Sequence, residues 1–147
     1  LFMRGLNNHI EDVGSFPVID GAVEFVERIR RSTDVRVAIA TGCWRESALL
    51  KLQTSGFNIE GIPVATSDDS PSRVEIMQSA LRMTGSDAGE VTYFGDAEWD
   101  QRACHDLGWN FVAVGPRLGG IQSFSAFSHD WATAFGREQP PRSFGIE

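Results

Sequence analysis

The stretch Val91-Thr92-Tyr93-Phe94-Gly95-Asp96-Ala97-Glu98-Trp99-Asp100 constrains this chain more than any other. Its first half is a β-branched and aromatic run that stops at a glycine, the pattern of a buried strand. Three acidic side chains, Asp96, Glu98 and Asp100, follow directly, and an amphipathic segment continues from Trp99 to Leu107. In an open parallel sheet ligands sit beyond the carboxyl ends of the strands, which is where Asp96 falls. Carboxylates gathered there repel one another unless something positive holds them. A hard divalent cation such as Mg²⁺ takes oxygen ligands and keeps substrate phosphate in its shell. Glu98 and Asp100 equally suit the first turn of a helix through its dipole. Spacing alone leaves both readings open, and the remaining segments decide between them.

Taken in order, residues 1–16 carry a loosely helical apolar spacing interrupted by Gly5 and Asn7-Asn8. From Asp20 to Ser32, Ala22, Phe25, Val26 and Ile29 recur at helical spacing, with Asp20 as the expected N-cap. Val35 to Ala40 reads as a strand closed by Thr41-Gly42, and a helix is expected from about Trp44 to Ser55, ending at Gly56. Ile62 to Thr66 is a weaker strand, with Pro63 near its start. Ser70-Pro71 reads as an N-cap followed by proline, opening a helix that runs to about Met83. Asn110 to Val114 is the last strand. Beyond Gly115 the periodicity fades.

Strict alternation of strands and helices implies a parallel sheet with helices on both faces. Thr41-Gly42 then ends one strand, Asp96 ends another, and Arg73 opens the helix between them. A hydroxyl with adjacent backbone N–H groups, a fixed cation and a metal-binding carboxylate are what a phosphoryl group requires. Each feature alone is ordinary, since threonine often caps a strand and arginine is often merely solvated. Their order at one edge of the sheet is what carries the inference.

Composition removes other classes. At 147 residues the chain is long enough for one domain with a real core, and its net charge of −7 argues against nucleic acid or an anionic membrane as partner. Two cysteines, Cys43 and Cys104, form neither a disulfide framework nor a metal-ligand pattern, so a reducing, cytoplasmic setting is expected. No apolar run reaches membrane-spanning length. Oligomeric state has no signature in the sequence.

Val37-Ala38-Ile39-Ala40-Thr41-Gly42, the segment from Ser72-Arg73-Val74 to Leu81, and Gly95-Asp96-Ala97-Glu98-Trp99-Asp100 resemble the second, third and fourth motifs of the haloacid dehalogenase (HAD) superfamily. The strand followed by Gly-Asp-x-x-x-Asp is the most specific of the three, and the likeness covers roughly Pro17 to Gly115. The resemblance implies an α/β fold: a three-layer α/β/α, Rossmann-like sandwich with a mainly parallel sheet. It also implies a Mg²⁺-dependent phosphatase that acts on a small phosphorylated molecule through an aspartyl-phosphate. By that likeness Thr41 binds the phosphoryl group together with Gly42 and Cys43, and Arg73 stands where the family has lysine. Asp96 holds Mg²⁺ and Asp100 supports the metal site.

Two departures accompany the likeness. Arginine is not a neutral replacement for lysine, because its planar fork grips oxygens at a different reach. The family's first motif, an Asp-x-Asp-x-Thr that supplies the nucleophile, has no match in the sequence. The expected organisation is therefore the end of a helical cap or linker at 1–15, a HAD-like core at 16–136 and a tail at 137–147. The nucleophile strand would lie outside these residues, leaving the sheet without its middle strand between the Val35 and Val91 strands. An inactive relative that binds a phospho-ligand or a protein is the alternative. A receiver-type signalling domain is disfavoured by chain order, since Thr41 and Arg73 precede Asp96.

Overall fold

The computed structural model describes residues 16–87 and 89–125; the expected cap remnant, the end of the core from residue 126 and the tail lie outside the described residues. The elements alternate as α1 (Ala22–Arg30), β1 (Ile39–Ala40), α2 (Arg45–Thr54), β2 (Val64–Ala65), α3 (Arg73–Met83), β3 (Thr92–Gly95), α4 (Glu98–Leu107) and β4 (Asn110–Ala113). Every expected helix and strand from residue 20 onward is present, several of them shortened.

The strands form two parallel pairs. β1 pairs with β2, Ile39 opposite Val64, and β3 pairs with β4, Thr92 opposite Asn110. Among the described residues no ladder joins β1 to β3. The two pairs face each other across a seam, over which the Tyr93 hydroxyl donates to the Ala40 carbonyl at 3.0 Å. Direct pairing of β1 with β3 is thus not what the described residues show. The strands along the seam are only half-buried, unlike the middle of a finished parallel sheet.

Helices cover both faces. Alternation along β3 sends neighbouring side chains to opposite sides. Tyr93 packs with Met77, Ala103 and Cys104 beneath α3 and α4, while Phe94 meets Phe25 of α1 at 5.6 Å, edge to face. Phe124 stacks on Phe25 at 4.8 Å and completes that second layer. Under α3, Ala65, Ile76 and Ala80 form a small core against Ala38 and Ala40. The fold is an α/β arrangement, with helices on both sides of parallel strands.

Three local expectations need correcting. The N-cap of α1 is Gly21, in a left-handed conformation, and Asp20 does not cap it. The Asp20 carboxylate instead accepts from the Ser123 hydroxyl at 2.5 Å and the Ser125 hydroxyl at 2.7 Å. Those hydrogen bonds, Ser123 first, hold its carboxyl below the usual range. The cap of α3 is Ser72, whose hydroxyl accepts from the Glu75 N–H at 3.4 Å, so Ser70-Pro71 lie just outside the helix. The first strand shrinks to Ile39–Ala40 because the chain before Pro63 turns through Gly61 and offers Val35–Ala38 no ladder partner.

Candidate functional site at the strand ends

β1 delivers Thr41 to the carboxyl edge of its pair. Its backbone N–H continues the ladder to the Ala65 carbonyl at 3.0 Å, and its hydroxyl oxygen accepts the Cys43 N–H at 3.1 Å. The hydroxyl hydrogen of Thr41 is still free to donate, but the Thr41 and Cys43 backbone donors are engaged. The N–H groups of Thr41 and Cys43, expected from the sequence to serve a phosphoryl group, are thus taken up by the turn itself.

Arg73, the first residue of α3, reaches over this turn. A Cβ added at Gly42 would lie 3.5 Å from Arg73 Nη1, 3.6 Å from Nη2 and 3.7 Å from Cζ. Such nearly equal distances describe a guanidinium lying flat over the glycine. The other edge of the same group is held by Asp100, with Nε 2.7 Å from Oδ1. Asp100 is only 3% exposed. The pair is close but not aligned as a hydrogen bond, which leaves Arg73 Nη1 and Asp100 Oδ1 buried without a hydrogen-bond partner among the described residues. Burial raises the Asp100 carboxyl above its usual range; Arg73 counters this and the Asp96 charge adds to it.

Gly95 permits this arrangement. A Cβ there would fall 2.9 Å from Asp100 Oδ2 and 2.9 Å from Tyr93 Cε1, closer than real contacts allow. The glycine between strand and acid is therefore needed for space: it lets Asp100 fold back beneath the end of β3. The buried Tyr93 hydroxyl is held protonated well above its ordinary value by the same desolvation, reinforced by Asp100.

Asp96 lies outward. Its side chain is 66% exposed, and Arg117 Nη1 approaches its Oδ2 at 4.0 Å. Among the described residues no cluster of three or more His, Cys, Asp or Glu side chains is gathered as a ready metal cage. The donors available are the two carboxylates, one exposed and one carrying a buried oxygen without a hydrogen bond. Hard oxygens of that kind suit Mg²⁺, which is commonly bound through one or two carboxylates with water and substrate phosphate completing its shell.

Thr41, Gly42, Arg73 and Asp100 are thus linked in one chain of contacts, with Asp96 at its rim and Cys43 beside Thr41. Sequence reading missed two neighbours, Lys51 and Arg117. Lys51 Nζ stands 3.8 Å from the Cys43 sulfur, one turn beyond the buried Ala48 on the face of α2 that meets the turn. Arg45 and the loop after β2 are tied together: its N–H donates to Asp68 at 2.8 Å and its guanidinium to Asp69 at 2.9 Å. Arg117 was unreadable because the segment beyond Gly115 has no periodicity. Trp44 and Trp99, 70% and 51% exposed, flank the site in sequence. No helix among the described residues is long and apolar enough to cross a membrane.

No curated protein matches the sequence. A family description does match, over residues 1–114, a span that contains β1, the start of α3 and the acidic end of β3. Coverage of that extent, on the elements that build this site, places the chain in the haloacid dehalogenase-like hydrolase family.

Proposed function

We propose that the protein is a Mg²⁺-dependent phosphatase of small phosphorylated molecules, working through an aspartyl-phosphate whose carboxylate is carried on a strand entering the seam between β1 and β3. The observation that supports this most is the Arg73 guanidinium, held by Asp100 and laid over Gly42 beside the Thr41 hydroxyl. In this reading Thr41 donates to a phosphoryl oxygen, and Arg73 neutralises charge that builds on the transferring group. Asp100 is a positioning residue: by occupying Nε it fixes the guanidinium plane. Gly42 and Cys43 line the phosphoryl pocket. Asp96, with Asp100 behind it, would hold the divalent cation, which supplies charge neutralisation at the phosphate. Cys43 and Cys104 are both free thiols, in keeping with a reducing, cytoplasmic setting.

The family's core strand order supports placing the attacking residue in the seam, since both half-sites face it. Domain limits of 16–136 for the core, with 1–15 as the end of a cap, follow the same reading. The test is turnover of an aryl phosphate by the whole protein with Mg²⁺. Thr41→Val is expected to lower kcat/KM by about 10²–10³, the usual effect of removing one donor to a developing oxyanion. Unchanged turnover would remove Thr41 from the site. Inorganic phosphate binding that depends on Thr41, with no turnover by the parent protein, would favour a phospho-ligand module instead.

A further inference from the structure

Arg117 stands out because the chain is folded back tightly to place it. β4 ends at Ala113, and Ile121 returns beside it: the Ile121 N–H donates to the Ala113 carbonyl and the Gly115 N–H to the Ile121 carbonyl, both at 2.9 Å. Gly120 also donates to the Gly115 carbonyl at 2.9 Å, and a Cβ at Gly120 would lie 2.3 Å from the Ala113 carbonyl carbon. Nothing larger than glycine fits there. Within this knot, the Gly119 N–H closes a turn onto the Pro116 carbonyl at 3.1 Å, and Arg117 sits at its tip. The turn leans across to the neighbouring strand end. Arg117 Cζ lies 5.8 Å from the centre of the Trp99 ring, and Nη1 lies 4.0 Å from Asp96 Oδ2. The indole gives the guanidinium a surface to rest on while its charge faces Asp96.

Two cations therefore flank the acidic strand end, with different attachments. Arg73 belongs to the buried Asp100, whereas Arg117 belongs to the exposed Asp96. At 4.0 Å, with both side chains more than half exposed, the Arg117–Asp96 pair is loose enough to be exchanged. We propose that Arg117 is the counter-charge of Asp96 in the cation-free protein and gives up that carboxylate when a divalent cation binds. This rests on Asp96 being the cation's ligand. Arg117 then acts on the site through Asp96, setting how tightly the cation is held.

The experiment is calorimetric titration of the whole protein with Mg²⁺ alone, comparing the parent with Arg117→Gln, Arg117→Lys and Asp96→Asn. Arg117→Gln should bind Mg²⁺ more tightly, by about two- to fivefold, the range of an exposed ion pair. Arg117→Lys should stay within about twofold of the parent, since the charge is kept. The gain of Arg117→Gln should shrink at high salt, where exposed charges are screened. A purely structural role for Arg117 would weaken binding in both variants and leave no salt dependence. If Asp96→Asn loses Mg²⁺ binding while Arg117→Gln binds as the parent or more weakly, the proposal about Arg117 is overturned and the metal assignment stands. If Asp96→Asn binds unchanged, the metal assignment itself fails and Arg117 falls with it.

Discussion

Replacing Arg73 by methionine tests the centre of the site, because it removes the charge and keeps much of the packed stem. Asp100 would remain with 4% of its side chain exposed and no cation at its Oδ1. Stranding one member of a buried pair costs about 3–5 kcal/mol. The carboxyl has an escape, however: it can take a proton. From its ordinary value of 3.8, protonation at pH 7 costs about 4 kcal/mol, at roughly 1.36 kcal/mol per unit. At pH 5 the same protonation costs only about 1.6 kcal/mol. The smaller of the two penalties wins, so Arg73→Met should destabilise by about 3–4 kcal/mol at pH 7 and by less than about 2 kcal/mol at pH 5. The sign follows from Asp100 being raised. The folded state holds the extra proton, so its relative stability is fully present below the unfolded value and is lost as pH rises through the folded one. Urea unfolding of the parent and variant at pH 5, 6, 7 and 8 measures this. Adding Asp100→Asn should recover most of the loss at pH 7 and flatten the pH dependence, the signature of coupled neighbours. A destabilisation equal at pH 5 and pH 8, or a double variant no better than the single, would refute the argument.

Gly95→Ala forces a Cβ to 2.9 Å from both Asp100 Oδ2 and Tyr93 Cε1. It should cost about 1–3 kcal/mol in urea unfolding and weaken Mg²⁺ binding in the same protein; stability within about 0.5 kcal/mol of the parent would show that the acid does not need that space. Alkylation with iodoacetamide at pH 8 should modify Cys43 and spare Cys104 in the folded protein. Cys104 is 1% exposed and its thiol is pushed up to about 12, chiefly by burial and then by Asp100. Peptide mapping distinguishes the two, and equal labelling would contradict the packing of α4 against β3.

How much of this was legible depends on how local each feature is. Helices α1 to α4 were readable because apolar spacing and terminal glycines are encoded within single segments: Gly56, Gly85 and Gly108 all take the left-handed conformation that stops a helix. Asp20 was misplaced because its partners, Ser123 and Ser125, lie more than a hundred positions away. A side chain next to a helix start looks like a cap until a distant hydroxyl claims it. Strand lengths erred for the same reason, since a ladder needs a partner and Val35–Ala38 has none among the described residues. At the candidate site, motif spacing singles out Thr41, Arg73, Asp96 and Asp100, which the fold brings to one edge, but it carries no information on their burial. The likeness gives both acids to the cation site, Asp96 as ligand and Asp100 as support, whereas one is exposed beside Arg117 and the other is buried against Arg73. Burial separates them, and burial is settled by the fold around Gly95.

That separation bears on chemistry. Two carboxylates with the same surroundings would bind a cation as a symmetric clamp and compete for the same arginine. Here the low exposure of Asp100 commits it to Arg73, so the site divides into an inner ion pair that fixes the guanidinium and an outer acid free to exchange partners. The inner pair spans the two halves of the fold: Arg73 comes from the helix after the β1–β2 pair and Asp100 from the helix after β3. Together with the Tyr93–Ala40 hydrogen bond it ties the halves across the seam, one contact at the strand and one above its end. Since no backbone ladder crosses there among the described residues, these side chains act with the packing of α3 on α4 around Met77, Ala103 and Cys104 in setting how Thr41 and Asp96 stand to one another. Loosening either contact should therefore disturb phosphate and cation binding together. A change at Arg117, which sits on one half only, should move cation binding alone.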